Sequence, residues 1–199
     1  MRAELSLISE WIKPDSRVLD LACGDGALLE HLQTRKNVTG YGIEIDPQHI
    51  VECLDKGVNV IQTDLDAGLS DFDEDSFDYV VMTQSLQAMH FPDRLLQEML
   101  RIGRQGIVSF PNVGHWKCRL QFALAGQMPV TRTLGHSWYD TPNIHLCTLK
   151  DFEELCRKKD INIVERTVLD HSHQASAVIN LMPNLLSEIA LYRFQKNNA

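Results

Sequence analysis

The 199-residue chain predicts an α/β fold with a mostly parallel open sheet and helices on both faces. Three observations point there. Short apolar runs alternate with amphipathic stretches at the rhythm of βα units. The run Phe77-Asp78-Tyr79-Val80-Val81-Met82 is almost continuously apolar, as suits a strand buried on both faces. The first such run ends in a small-residue turn, Ala22-Cys23-Gly24-Asp25-Gly26, that leads into a helix, and its glycines let a ligand approach the main chain closely.

The elements follow in order. Leu5, Leu7, Ile8, Trp11 and Ile12 have helical spacing and predict a docking helix that ends at Lys13-Pro14. Residues 17–21 form the first strand, and a helix over about 25–33 buries Ala27, Leu28, Leu29 and Leu32. The second strand is 41–45. Asp46-Pro47 then starts a helix, with a carboxylate at the N-cap and proline at the first helical position, and the helix stops near Gly57. The third strand, 58–62, closes with Asp64-Leu65-Asp66. An acidic loop at 70–76 precedes the fourth strand at 77–82. Pro92 opens a helix to about Ile102, and the fifth strand, 106–110, ends at Pro111.

From 112 to 147 the rhythm breaks, and this stretch reads as a loop-rich lid or partner-binding insertion in a single domain spanning 1–199. Thr148-Leu149-Lys150-Asp151 is a capping box that starts the next helix. Residues 161–168 and 188–194 complete seven strands, the last one antiparallel at the edge of the sheet.

Composition narrows the function. A formal charge of −8, with no run of basic residues, argues against a nucleic-acid partner. The five cysteines are scattered, with no C-x-x-C spacing, which suits reduced thiols in a cytoplasmic protein. No apolar stretch approaches membrane-spanning length. The pair His171 and His173 reads as a solvated loop, so no metal is expected. Asp78 reads as an acid that satisfies local backbone groups, and Cys23 as packing, its acidic neighbours opposing a thiolate.

Ligands of open α/β sheets bind beyond the C-terminal strand ends. By that rule Asp20, Glu44, Asp64 and the Thr83-Gln84 pair should face one crevice. The turn is a weak match to the dinucleotide fingerprint, because Leu29 stands where a third glycine belongs. Asp20 and Asp25 also make it a poor seat for a bare pyrophosphate and a better one for a ligand with a cationic portion.

An acid at a strand end followed by Ala-Cys-Gly-Asp-Gly, with Glu44 and Asp64 after the next two strands, resembles the class I S-adenosylmethionine-dependent methyltransferases. Their first motif is D-x-G-x-G-x-G, and here Ala22 replaces its first glycine. The resemblance implies a Rossmann-like methyltransferase fold. It also implies that the turn from Ala22 and Cys23 through Gly24 and Gly26 lies against the methionine moiety of the cofactor and that Asp20 helps hold its amino end. Glu44 would take the ribose hydroxyls, Asp64 the adenine amino group, and Ile45 and Leu65 the two faces of the ring, with Gln84 completing the set. Adjacent hydroxyls suit a carboxylate acceptor, and a sulfonium suits an acidic pocket.

Longer blocks are more specific. Arg2-Ala3-Glu4-Leu5, Asn59-Val60-Ile61-Gln62, Ser109-Phe110-Pro111-Asn112, Gly114-His115-Trp116 and the run from Trp138 to Thr148 are similar to the methionine-biosynthesis MetW family. That resemblance implies a role beside MetX, the homoserine O-acyltransferase. Two functions follow from it. One is a subunit without methyl-transfer activity that binds S-adenosylmethionine or S-adenosylhomocysteine and supports or regulates the acyltransferase. The other is a methyltransferase acting on a small molecule, for which His145 and Tyr139 are the candidate catalytic groups. His145 reads equally as a buried histidine bonded to backbone. Trp116, Trp138, Tyr139, Asn143 and His145 form a substrate or partner surface, and the aromatic residues suit either use.

Overall fold

The computed structural model describes residues 3–170 and 177–197. Among these residues seven strands form one sheet: β1 (Arg17–Leu21), β2 (Thr39–Glu44), β3 (Val60–Gln62), β4 (Phe77–Thr83), β5 (Gly103–Pro111), β6 (Ile161–Leu169) and β7 (Ile189–Lys196). Their order is β3-β2-β1-β4-β5-β7-β6. Every pairing from β3 to β5 is parallel, and β7 runs antiparallel to both neighbours.

The antiparallel direction of the last strand is as predicted, but its place is not. β7 lies between β5 and β6, and β6 forms the edge. The exposure of each strand explains the order. Ile189-Ala190-Leu191-Tyr192 is buried without interruption, as an interior strand requires, whereas β6 alternates exposed and half-buried positions through Asn162–Arg166.

Side-chain alternation divides the core in two. Val18, Tyr79, Val81, Ile107 and Leu191 point to the face covered by α1 (Ala3–Trp11), α2 (Ala27–Lys36) and α3 (Pro47–Asp55). Leu19, Leu21, Val80, Met82, Val108 and Phe110 point to the other face, covered by α4 (Pro92–Ile102) and α6 (Leu149–Lys158). There Phe152 of α6 packs on Tyr192 with ring centroids 4.6 Å apart, and Tyr192 donates its hydroxyl hydrogen to Glu153 Oε1 at 2.9 Å.

Two helix starts form as their sequences require. Asp46 accepts the Gln48 N–H at 2.8 Å with Pro47 behind it, and Thr148 and Asp151 cap each other reciprocally.

The segment 112–147 is less irregular than its sequence predicts, because it contains α5 (Trp116–Ala125). This helix buries only Cys118 and leaves Leu120, Phe122 and Leu124 exposed. Its apolar residues fall on two faces, Trp116, Leu120 and Leu124 on one and Cys118 and Phe122 on the other, so no single core-facing stripe marks it in the sequence. The remaining signals are ten residues without Gly or Pro and a left-handed Gly126 at the C-cap. Two short helices, α7 (Ala177–Leu181) and α8 (Pro183–Leu186), precede β7. His171 and His173 lie outside the described residues. Among the described residues no helix is long and apolar enough to cross a membrane.

Candidate functional site

The parallel strands β3, β2, β1 and β4 are neighbours in the sheet, so their C-terminal ends share one rim. On that rim stand Asp64, Glu44, Asp20 with the following turn, and Gln84, the side chains that the sequence assigned to a common crevice. The chain leaves β1 toward β2 on one side and reaches β4 on the other, which opens the crevice at the end of β1.

The turn after β1 is held by Glu44. Its Oε2 accepts the Gly24 N–H at 2.8 Å, and its Oε1 accepts the Ile45 and Asp46 N–H groups at 2.8 and 3.0 Å. Cys23 donates its N–H to the Ile43 carbonyl at 3.0 Å, so two bonds tie the β1 turn to β2. Ala22, at the position of the motif's first glycine, takes φ 52°, a left-handed conformation that costs about 1–2 kcal/mol for an L-residue. Gly24 and Gly26 are left-handed too, but their surroundings differ. A Cβ on Gly26 would come within 2.9 Å of Cys53 Sγ, whereas one on Gly24 would meet nothing within 4 Å. Open space beside the main chain at Gly24 is where a ligand could lie.

Beneath the turn, the thiols of Cys23 and Cys53 are 3.8 Å apart, and Cys53 Sγ donates to the Gly24 carbonyl at 3.2 Å. Burial, then the charge of Asp20, pushes the Cys23 thiol well above the ordinary range, which disfavours the thiolate and suits a packing role. Asp25 departs from expectation. It is salt-bridged to Lys56 Nζ at 2.5 Å, which counters its charge and holds it to α3. The acidic character of the crevice comes instead from Asp20, 1% exposed, and Glu44, 6% exposed.

The sequence reading missed a third buried acid. Glu4 on α1 is fully buried and accepts a hydrogen bond from Gln84 Nε2. The signal was present, since Glu4 shares the buried stripe of Ile8 and Ile12 at a spacing of four. Gln84 itself is left-handed at φ 53°, with its N–H donated to the Ser109 carbonyl.

At the other end of the rim, Asp64 caps a 3-10 turn over Leu65–Ala67 by accepting the Asp66 N–H at 2.9 Å. Ile45 is 59% exposed, and Leu65 is buried. Asp66, also missed, bonds the His90 ring at 2.5 Å and the His90 N–H at 3.0 Å, and the His90 hydrogen bond holds its carboxyl below the usual range.

The substrate-or-partner residues stand mostly at the surface. Trp138 and Tyr139 are each 75% exposed and meet edge to face at 5.7 Å; Trp116 is 43% exposed. His145 is exposed, with Nε2 3.3 Å from the His90 carbonyl, so the backbone bond of the alternative reading is present but the burial is not. Asn143 is half-buried and donates its N–H to Thr141 Oγ1. What anchors the segment is Gln87, a further missed residue. Its carbonyl accepts the Ile144 and His145 N–H groups at 2.8 and 2.9 Å, and its Nε2 donates to the Pro111 carbonyl at 3.1 Å. Asp78 accepts the Arg17 N–H at 2.8 Å, in keeping with its backbone role.

The fold is that of known methyltransferases. An S-adenosylmethionine-dependent methyltransferase from Mesorhizobium loti superposes with a TM-score of 0.70 at 16% identity, covering 98% of each chain. Phosphoethanolamine N-methyltransferase 2 of Haemonchus contortus, in complex with S-adenosylmethionine, gives 0.69 at 14% identity over 96% of this chain and 51% of the other. In sequence, a relative from Rhodopirellula baltica described as a bifunctional methionine biosynthesis protein MetXA/MetW is 32% identical over 200 residues. The match takes in 96% of this chain but only 32% of the relative, so the chain spans about a third of that protein's length. The family model for methionine biosynthesis protein MetW matches residues 2–194. With a class I methyltransferase fold and a family match over nearly its whole length, the chain belongs to the MetW family of methionine biosynthesis proteins.

Proposed function

We propose that this chain binds S-adenosylmethionine or S-adenosylhomocysteine in the crevice beyond β1 and β4 and supports or regulates a partner homoserine O-acyltransferase, MetX. The observation that carries the ligand reading is the open side of Gly24, whose N–H is held by the buried Glu44 carboxylate in the turn that follows buried Asp20. A sulfonium and an ammonium are favoured beside such acids. Glu44 already accepts three backbone N–H groups. A carboxylate offers about four acceptor sites, so Oε2 has room for a ribose hydroxyl without releasing the turn. Asp64, with one oxygen used as a cap, would accept the adenine amino group. The ring would lie between exposed Ile45 and the Leu65 side.

The partner reading rests on the Rhodopirellula baltica protein, whose description joins MetXA and MetW in one polypeptide. A ligand that reports methionine supply would act on such a partner only by binding its active and inactive assemblies unequally. The methyltransferase reading draws on the fold, and its candidate groups are Tyr139 and His145.

The test is the homoserine acylation rate of the acyltransferase from the same organism, with and without this protein, across a titration of S-adenosylmethionine. A rate that needs this protein and responds to the ligand is expected. A rate indifferent to both, together with methylation of a small acceptor, would overturn the proposal in favour of the enzyme reading.

A further inference from the structure

The crevice reading gives no task to one buried acid. Glu4 stands in the first turn of α1, fully buried, and accepts a hydrogen bond from Gln84 Nε2. Burying a carboxylate is costly, so its place in an apolar stripe asks for a reason beyond packing. α1 itself is firmly set. Leu5, Ile8 and Ile12 sink into the core on the face shared with α2, and Lys36 Nζ of α2 donates to the Ile12 carbonyl at 2.7 Å. The helix thus delivers Glu4 to the C-terminal end of β4.

What Glu4 does there follows from the chemistry of its partner. A glutamine amide has a donor end and an acceptor end of nearly the same shape, and a carboxylate can accept only from the donor end. Glu4 therefore fixes the Gln84 amide with Nε2 toward α1 and Oε1 turned away from it. Among the described residues nothing donates to Oε1, and Gln84 is only half-buried. The backbone is fixed as well, since Gln84 is left-handed at φ 53° and its N–H is bound to the Ser109 carbonyl at 2.8 Å. Such backbone strain in a residue other than glycine gathers at ligand sites.

Its position along the rim identifies the part of the ligand it would meet. The strands run β3, β2, β1, β4, and the adenine, ribose and sulfur of the proposed ligand follow the same order past Asp64, Glu44 and the Gly24 turn. β4 comes next, paired with β1 as far as Leu21 and Met82, and Gln84 stands two residues beyond that pair. The amino-acid end of the ligand is the part left to reach it. That end carries an ammonium, which donates hydrogen bonds and accepts none, so an amide oxygen complements it and an amide NH2 in the same place opposes it. We infer that Glu4 is a positioning residue: by fixing the Gln84 amide it presents Oε1 to the ammonium of the bound ligand and so selects nucleosides that carry an amino-acid end. The inference rests on the cofactor reading above and deepens it by naming what sets selectivity at the β4 end of the crevice.

The experiment is titration calorimetry of the full chain with S-adenosylhomocysteine and with methylthioadenosine, which shares the nucleoside and the thioether but lacks the amino-acid end. Glu4→Leu should weaken S-adenosylhomocysteine by about tenfold and methylthioadenosine by less than about twofold, because a bond to a charged group is lost at one end of the ligand only. Glu4→Gln, which keeps an acceptor for Gln84 Nε2, should restore most of the affinity. In a Gln84→Met background Glu4→Leu should cost nothing further, since no amide is left to fix. Methylthioadenosine also reports folding, as a variant that has lost its structure binds neither ligand. If Glu4→Leu weakens both ligands alike, Glu4 only supports the fold and the inference falls. It falls too if Glu4→Leu weakens neither ligand, if Glu4→Gln binds as weakly as Glu4→Leu, or if Glu4→Leu still weakens S-adenosylhomocysteine in the Gln84→Met background. If the unaltered chain binds neither ligand, the cofactor reading itself fails, a result distinct from each of these.

Discussion

Replacing Glu44 by alanine should both loosen the turn after β1 and weaken cofactor binding, and the two effects are separable. The carboxylate accepts the N–H groups of Gly24, Ile45 and Asp46 at 2.8, 2.8 and 3.0 Å and is 6% exposed. A hydrogen bond to a charged acceptor contributes about 1.5–3 kcal/mol, but three donors sharing one carboxylate do not add fully, and crevice water will reach some of the released groups. The net cost should be about 2–4 kcal/mol. That is a large part of a typical domain's stability without abolishing folding. Glu44→Gln should cost nearly as much, because its amide NH2 would face a backbone N–H donor on one side. Urea unfolding followed by circular dichroism gives the stability change, and calorimetry with S-adenosylhomocysteine on the folded variant gives the affinity. A stability loss below about 0.5 kcal/mol would refute the clasp that the three bonds describe. A stability loss as expected with unchanged affinity would keep the clasp and remove Glu44 from the cofactor reading.

Gly24→Ala and Gly26→Ala should separate along the same two axes. Gly26→Ala combines a left-handed backbone with a Cβ 2.9 Å from Cys53 Sγ and should cost about 2–4 kcal/mol in urea unfolding. Gly24→Ala meets open space and should cost only about 1 kcal/mol while weakening S-adenosylhomocysteine by about tenfold or more, and equal stability losses would contradict the packing described. The Asp66–His90 pair predicts a pH effect. Because the folded carboxyl titrates below its unfolded value, its contribution is complete above the usual carboxylate range and is lost as pH falls through the lowered value. His90→Ala should move the Asp66 carboxyl titration, followed by carbon-13 NMR, upward toward the ordinary value, and an unmoved titration would refute the hydrogen bond as the cause.

Much of the fold can be read from residues close together in the chain. The cap at Asp46-Pro47 and the box at Thr148 to Asp151 are decided within three residues, and both formed. The apolar runs of β1, β4 and β5 identify buried strands for the same reason, since burial on both faces demands apolar side chains at successive positions. The order of acids at strand ends, Asp20, Glu44 and Asp64, follows once the sheet is parallel. The block from Trp138 to Thr148 pointed to the family that the matched model then established. Even the interior place of β7 was latent in the unbroken Ile189-Ala190-Leu191-Tyr192, although its neighbours were not.

Other features needed the folded chain. Gln84 finds Glu4 across 80 residues, Lys56 finds Asp25 across 31, and the Gln87 carbonyl catches the backbone of Ile144 and His145 from more than fifty residues away. α5 escaped the sequence pattern because it does not bury a single face in this chain's own core. Local periodicity and capping depend on neighbours within a turn or a strand, so composition and spacing reveal them. Which distant carboxylate meets which amide, and which apolar face is left uncovered, depends on how the sheet orders its strands, and only the assembled tertiary structure decides that.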